Sequence, residues 1–295
     1  MIRFEEIENG IFLLKTPFST LWTGVTLIKR DRNYLIDSGA DSPEKYIIPA
    51  LNNLGMDISD IDYLLNTHCH GDHITGHFDL VNKYGIKTVT YSGGADKLLN
   101  PAENAVRIRT KFPEDSPKPQ GWLKGVRADI TLNDGDVLDD NLILLHTPGH
   151  DDDCVCWYDI KTKTAICGDS LQGNGTPTQG IGFYSNMNDY TKTLDKLSET
   201  DINQLVLGHC YDGIGDVITG RENVRQAIKL CRDYVAKYSD YIRKCFENGE
   251  KDCRQIAIDM IHDIGCGMPE YLFLALYTVT EHMKVIKVIE RTEHQ

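Results

Sequence analysis

The chain has no long apolar run, and nothing in it approaches the ~20 residues needed to span a bilayer. Its opening stretch, 1–14, places Glu5 and Glu6 where a secretory leader would carry its apolar segment, so a cytoplasmic address and no membrane partner are expected. Positive charge is also scarce. Against 44 Asp and Glu there are 31 Lys and Arg, a formal net charge of −13. That balance argues against long nucleic acid and anionic membranes as partners. There is no useful internal repeat and no low-complexity tract. The nine cysteines are odd in number and scattered from Cys69 to Cys266. They do not describe a small disulfide scaffold, and they fit a reducing compartment. Cys154, Cys156 and Cys167 are expected to be buried free thiols rather than a soft metal site.

What is present is ordinary in bulk. A chain of 295 residues, 41% hydrophobic and 25% charged, can bury a full core. Short apolar, partly β-branched segments predict strands near 2–7, 11–16, 23–29 and 33–37, then 61–66 and 87–91. Ser42-Pro43 reads as an N-cap with proline at the first helical position, opening a helix to about Leu54, and a second helix is expected from His77 to Tyr84. Residues 95–127 differ from the rest. Pro101, Pro113, Pro117 and Pro119 punctuate them, and basic residues outnumber acidic ones. They read as a cationic insertion, either a solvated face or a lid that attracts an anion. Strands resume at 130–132, 136–138, 142–146, 154–159 and 164–168. A loop over 170–188, a helix over 189–198 and a strand over 203–207 follow. From Thr219 onward the pattern is helical only, with Thr219 and Glu222 as a capping box and further helices near 252–264 and 270–289. This predicts an α/β domain over 1–217 and an all-helical extension over 218–295. The all-round apolar run 271–277 makes the extension a candidate for core burial or a homodimer interface.

Residues 67–73 read Thr-His-Cys-His-Gly-Asp-His. Imidazole nitrogen and carboxylate oxygen are the ligands of zinc and similar divalent ions. On an extended segment His68 and His70 share one face, and the turn at Gly71 sends Asp72 and His73 toward a second point nearby. Further candidates stand just past apolar segments: His150 after Thr147-Pro148-Gly149, Asp169 after Ile166-Cys167-Gly168, and His209 after Val206-Leu207-Gly208. A closed structural site would hold four ligands, commonly with thiolates, so six or seven nitrogen and oxygen ligands point to chemistry. His77 and His146 are expected to support ligands or pack. His262, His282 and His294 are expected on the surface or in packing.

These residues carry a resemblance to the metallo-β-lactamase-fold hydrolases, over about residues 1–215. The resemblance implies an αββα four-layer sandwich with two divalent ions at one edge of the sheets. It would place one ion on His68, His70 and His150, a second on Asp72, His73 and His209, and Asp169 between them. Zinc is the favoured ion, with iron or manganese as alternatives. His70 stands where the di-iron flavoprotein branch has Glu. The implied activity is hydrolysis of a small ester, thioester or lactone by a metal-bridging hydroxide, as in the glyoxalase II and lactonase branches. Asp72 would also take and relay a proton, and Asp37 would orient a ligand.

Three departures stand out. Asp151-Asp152-Asp153 follow His150, where the family often has Thr or Ser. Gln172 replaces the tyrosine that acyl-homoserine lactonases carry three residues after the bridging aspartate, leaving Tyr184 or Tyr211 to substitute as substrate contacts. Asp169 replaces the pattern of true β-lactamases, so antibiotic hydrolysis is not expected. The competing readings are a phosphodiesterase or nuclease on the same metals, an iron-dependent oxidoreductase, and a metal-binding protein without catalysis.

Overall fold

The computed structural model describes residues 3–173, 180–265 and 272–293, with side chains through 287. Cys266 and His294, part of the 170–188 loop and the start of the 271–277 run lie outside the described residues.

The first sheet has seven strands in sequence order. Strands β1 (Glu5–Glu8), β2 (Ile11–Phe18), β3 (Leu21–Lys29) and β4 (Asn33–Ile36) form an antiparallel meander. Strands β5 (Tyr63–Leu65), β6 (Lys87–Tyr91) and β7 (Ile130–Leu132) continue it in parallel. The crossovers between them carry α1 (Ile47–Asn53), α2 (Gly71–Ile74), α3 (His77–Tyr84), α4 (Ala95–Leu99) and α5 (Pro101–Thr110). The second sheet comprises β8 (Val137–Leu138), β9 (Leu142–His146), β10 (Val155–Asp159), β11 (Thr164–Gly168), β12 (Gln204–Tyr211) and β13 (Gly215–Thr219), in the order β13-β12-β11-β10-β9-β8. Helix α6 (Met187–Glu199) is the crossover that makes β11 and β12 parallel.

Side-chain alternation builds the layers. Tyr34 and Ile36 join Val155, Trp157 and Ile166 in a core between the two sheets. Leu35 faces the other way, with Val25 and Leu27 against Ile47 and Leu51 of α1 and Leu80 of α3. On the far side Ala165, Cys167, Leu205 and Leu207 pack under Tyr190 and Leu194 of α6. The result is the αββα sandwich, followed by α7 (Arg221–Glu247), α8 (Cys253–Ile264) and α9 (Leu272–Glu293). Cys154, Cys156 and Cys167 are buried free thiols. Among the described residues no helix is long and apolar enough to cross a membrane.

Local expectations failed where a tertiary contact overrode a cap. The helix expected at Pro43 begins at Ile47, because the Ile48 amide bonds the Pro43 carbonyl five residues back and opens the turn. Thr219 ends β13 instead of capping α7, and its hydroxyl accepts from Gln204 Nε2 at 3.0 Å. Gly220, at φ 98°, stands at the helix start. The strand expected over 203–207 runs on to Tyr211 and pairs there with Gly215. The cationic insertion carries the helices α4 and α5 in its first half.

The tail packs on the sandwich and on itself. Tyr238, Ile242, Ile256, Met260, Leu276 and Val279 form one cluster of α7–α9, so the apolar run finds burial within this chain. His282 of α9 is buried there, hydrogen-bonded to Ser239 Oγ at 2.8 Å and to the Tyr184 hydroxyl. Burial lowers its pKa to about 4, against 6.5 ordinarily. As pH falls, the unfolded chain therefore takes up this proton before the folded chain does. The contribution of neutral His282 to stability, up to about 3 kcal/mol, is complete above pH 6.5 and is lost between 6.5 and 4. Denaturation midpoints measured across this range should fall more steeply for the wild type than for His282→Gln. Parallel curves would show that His282 does not carry this term.

Candidate metal centre

Each ligand candidate is delivered by a sheet. The turn after β5 and the short helix α2 carry His68, His70, Asp72 and His73. The loop after β9 carries His150, and the residue after β11 is Asp169. His209 lies inside β12, where the pairing with β13 shifts register between Val206 and Tyr211. Three sets of donor atoms each lie within 4.8 Å of one another: His68, His70 and His150; His68, His73 and Asp169; and Asp72, His73 and His209.

The carboxylate of Asp169 stands among three imidazoles. Its Oδ1 is 3.4 Å from His73 Nε2, and its Oδ2 is 3.4 Å from His150 Nε2 and 3.5 Å from His209 Nε2. Asp72 Oδ2 is 3.2 Å from His209 Nε2 and 3.6 Å from His73 Nε2. Such crowding requires small neighbours. A Cβ on Gly208 would lie 2.5 Å from Asp169 Oδ1, and one on Gly168, at φ 48°, would lie 2.2 Å from Thr67 Oγ1.

Every histidine is oriented by a bond made away from the cluster. His73 Nδ1 donates to Asp37 Oδ2 at 2.8 Å, His150 Nδ1 to the Phe183 carbonyl at 2.9 Å, and His209 Nδ1 to the Trp22 carbonyl at 2.7 Å. His70 Nε2 donates to Asp151 Oδ2 at 3.2 Å. His68 Nδ1 meets Thr67 Oγ1 at 3.2 Å, and that hydroxyl donates onward to Asp37 at 2.8 Å. Asp37 also accepts from the Thr67 amide at 2.7 Å, and it sits at φ 63°, a conformation that persists only when its surroundings hold it. These bonds fix the tautomers and leave five ring-nitrogen lone pairs, with two carboxylates, converging where no donor stands. His68 Nε2, His73 Nε2 and Asp169 Oδ1 are buried without a hydrogen-bond partner. Buried acceptors that face one another at 3.0–3.6 Å repel unless a cation lies between them, so the donor set fits divalent metal.

Electrostatics divides the cluster. Burial, aided by His73 and His70, pulls the pKa of His68 well below 6.5, and burial lowers His150 to about 4. Around Asp72 and Asp169 the balance reverses. Burial opposes charge on His209, but Asp169 and Asp72 outweigh it and raise its pKa to about 10. His73 is raised likewise by Asp72, Asp169 and Asp37 against burial. Burial opposes ionised Asp72 and Asp169 too, yet His73 and His209 hold both below the usual carboxylate range. That half of the site attracts positive charge.

The two compositional anomalies of the sequence meet here. Asp151 and Asp153 are buried, and Lys97 of α4 contacts Asp151 at 2.9 Å, Asp153 at 2.8 Å, and Asp152. Its ammonium thus meets all three members of the acidic run. Arg107 of α5 grips both oxygens of Asp151 at 3.0 Å. One turn earlier on the same helix, Asn104 accepts from Arg107 and donates to the Cys69 carbonyl, between the two motif histidines, at 3.1 Å. Sequence reading flagged both charge runs and missed that they pair. The i, i+3 spacing of Asn104 and Arg107 in a basic segment was the available signal.

The substrate candidates separate. Gln172 and Tyr211 line a cavity of about 360 Å³ beside the cluster. Gln172 is already committed: its Nε2 donates to the Asp169 carbonyl at 2.9 Å and its Oε1 accepts from the Phe183 amide at 3.0 Å. Tyr211 is buried, and burial with Asp169 nearby holds its phenol protonated. Tyr184 is not among the cavity residues and bonds His282 instead. His77 bonds Ser38 at 2.8 Å, and His146 stacks on Tyr91.

Known proteins resemble the chain in sequence and in fold. The chain is 27% identical over 185 residues to a hydroxyacylglutathione hydrolase of Pelagibacter ubique, a match covering 60% of this chain and 65% of that protein. It is 28% identical over 145 residues to the human acyl-coenzyme A thioesterase MBLAC2, covering 45% of this chain and 49% of that protein. The chain thus spans less than two thirds of either relative. Among solved structures, the metallo-beta-lactamase family protein TTHA1429 of Thermus thermophilus superposes with a TM-score of 0.72 at 20% identity, covering 96% of this chain and 95% of that one. A beta-lactamase domain protein of Burkholderia ambifaria gives 0.73 at 17% identity, covering 97% and 88%. At those identities the likeness speaks for the fold. The sequence model of the metallo-beta-lactamase superfamily matches residues 23–209. That match takes in more than half of the sequence and every ligand candidate from His68 to His209, and the chain belongs to the metallo-beta-lactamase superfamily.

Proposed function

We propose that this protein is a dinuclear metal-dependent hydrolase of an ester, thioester or lactone. The observation that carries the reading is the set of five imidazoles, each tied outward by one nitrogen and aimed inward by the other, around two carboxylates. His68, His70 and His150 would hold one ion, Asp72, His73 and His209 the second, and Asp169 would lie between them. Zinc suits this nitrogen-rich, thiolate-free set. Two such ions supply hydroxide near neutral pH, by lowering the pKa of water from about 15.7 toward 7, and stabilise the oxyanion of an attacked carbonyl.

The protein's own groups do the rest. Asp37, Asp151 and the carbonyls of Trp22 and Phe183 hold the imidazoles in orientation. Asp72 lines the cavity, accepts from the Thr23 hydroxyl at 3.4 Å, and is placed to hold a proton at Oδ2. Tyr211, held protonated in the cavity wall, is a donor for the substrate carbonyl or leaving oxygen. The names of the relatives, a hydroxyacylglutathione hydrolase and an acyl-coenzyme A thioesterase, support carbonyl rather than phosphoryl substrates.

Metal analysis of the purified protein, with parallel assays of p-nitrophenyl acetate, a thioester, a lactone and bis-p-nitrophenyl phosphate, tests the proposal. Two zinc ions per chain and chelator-sensitive turnover of a carbonyl substrate are expected. Turnover confined to the phosphodiester, iron with redox activity, or bound metal with no turnover would each overturn it.

A further inference from the structure

The cavity beside the cluster has two kinds of wall. Where His70, Asp72 and His150 line it, it is polar. Its lining also includes the apolar Ile108 of α5, Ile181, Ile261 of α8, and Phe273, Leu274 and Ala275 of α9. Ile108, Ile181, Phe273 and Ala275 are all buried. None of these side chains offers a hydrogen bond, so a polar substrate group placed among them would lose its water without compensation. Arg109 also lines this part, but its guanidinium bonds the Ala105 carbonyl at 2.8 Å and lies over the Phe273 ring. The exposed members of the wall, by contrast, include the polar Ser19 and Lys118.

We infer that this pocket takes an unbranched apolar acyl chain of several methylenes, with the reacting carbonyl at the His70–Asp72 end and the leaving group directed to the Ser19–Lys118 mouth. The inference rests on the proposed hydrolysis and names its substrate class. A carbonyl substrate has two substituents, and the one released must reach solvent. The mostly buried apolar side therefore keeps the acyl part, and the exposed polar side passes the alcohol or thiol. The helical tail, which supplies no ligand candidate, acquires a role, and the insertion a second one beside its hold on Asp151: α5 and α8–α9 are the chain-measuring walls.

Two measurements test this on the metal-loaded protein. In a series of p-nitrophenyl esters from acetyl to dodecanoyl, kcat/KM should climb with chain length, by up to about fourfold per methylene at the full transfer value, until the pocket is filled. The hexanoyl ester should exceed the acetyl ester at least about tenfold. Calorimetric titration with octanoate should show tighter binding than acetate, with a negative heat-capacity change. Leu274→Trp and, independently, Ile261→Trp should lower the octanoyl-to-acetyl ratio of kcat/KM. Turnover that is flat or falling from acetyl onward would overturn the chain pocket and leave the hydrolase standing. A steeper dependence on the alcohol chain of acetate esters would overturn the acyl assignment. Octanoate binding that Leu274→Trp weakens, with no ester turned over, would support the pocket and refute the hydrolytic reading.

Discussion

Asp169→Ala should strip the protein of one of the two metal ions proposed for this centre and of most of the proposed hydrolytic activity. Its carboxylate lies within 3.4–3.5 Å of His73, His150 and His209, imidazoles that belong to both halves of the cluster. Among the described residues no other side chain at the centre reaches both halves with a negative charge: Asp72 faces His73 and His209. Removing a mere outer hydrogen-bond partner of a metal ligand typically costs about 10–100-fold, and loss of a shared ligand should exceed that range. Asp169→Asn keeps the volume and removes the charge, which separates a packing defect from a metal defect. The readouts are metal content by elemental analysis and kcat at saturating metal. Two ions retained with an unchanged rate in both variants would remove Asp169 from its central position.

A second large effect is expected at Asp151, a residue that is not itself in either proposed ligand set. Asp151→Asn should weaken the ion held on His68, His70 and His150 by about 10–100-fold, read by chelator competition. The carboxylate receives the His70 Nε2 proton at 3.2 Å and is itself held by Arg107 and Lys97. Burial opposes its charge, and His70, Lys97 and Arg107 outweigh burial to keep it ionised. An ionised acceptor makes the opposite ring nitrogen of His70 a better ligand. The cobalt-substituted protein offers a signature that a packing role would not move: its visible spectrum should shift in Asp151→Asn. Arg107→Gln should act in the same direction but less, because Lys97 remains on Asp151. A fall in melting temperature with unchanged chelator competition would make Asp151 a structural anchor of α4 and α5 only.

The strands from Tyr34 to Thr164 were legible because short apolar, partly β-branched segments mark strands buried on both faces, as Tyr34–Ile36, Val155–Trp157 and Thr164–Gly168 are. Elements with weaker local signals were not. Nothing in Gly215–Thr219 distinguishes an edge strand from a turn, and only its pairing with β12 makes it one. The cap expected at Thr219 was a sound local reading defeated by a hydroxyl that found Gln204 instead. Tyr184 and Tyr211 looked equivalent as aromatic neighbours of Asp169. The fold turned one toward His282 and the other toward the cavity.

The sequence by itself determined the candidate ligand set. His68, His70, Asp72 and His73 stand so close along the chain that a single turn gathers them, and ligand types are a property of residues. The sandwich was expected from the resemblance that those residues carry, with strand and helix segments in a compatible order. The tertiary structure alone decided which acid neutralises which base, which carbonyls orient the histidines, and what walls the cavity. Lys97 and Asp151, Trp22 and His209, and Ile108 and Phe273 are separated by 54 to 187 positions, and no periodicity links such partners. Their meeting depends on how two sheets and three tail helices pack, so the lining of the cavity is written in the packing and not in the motif.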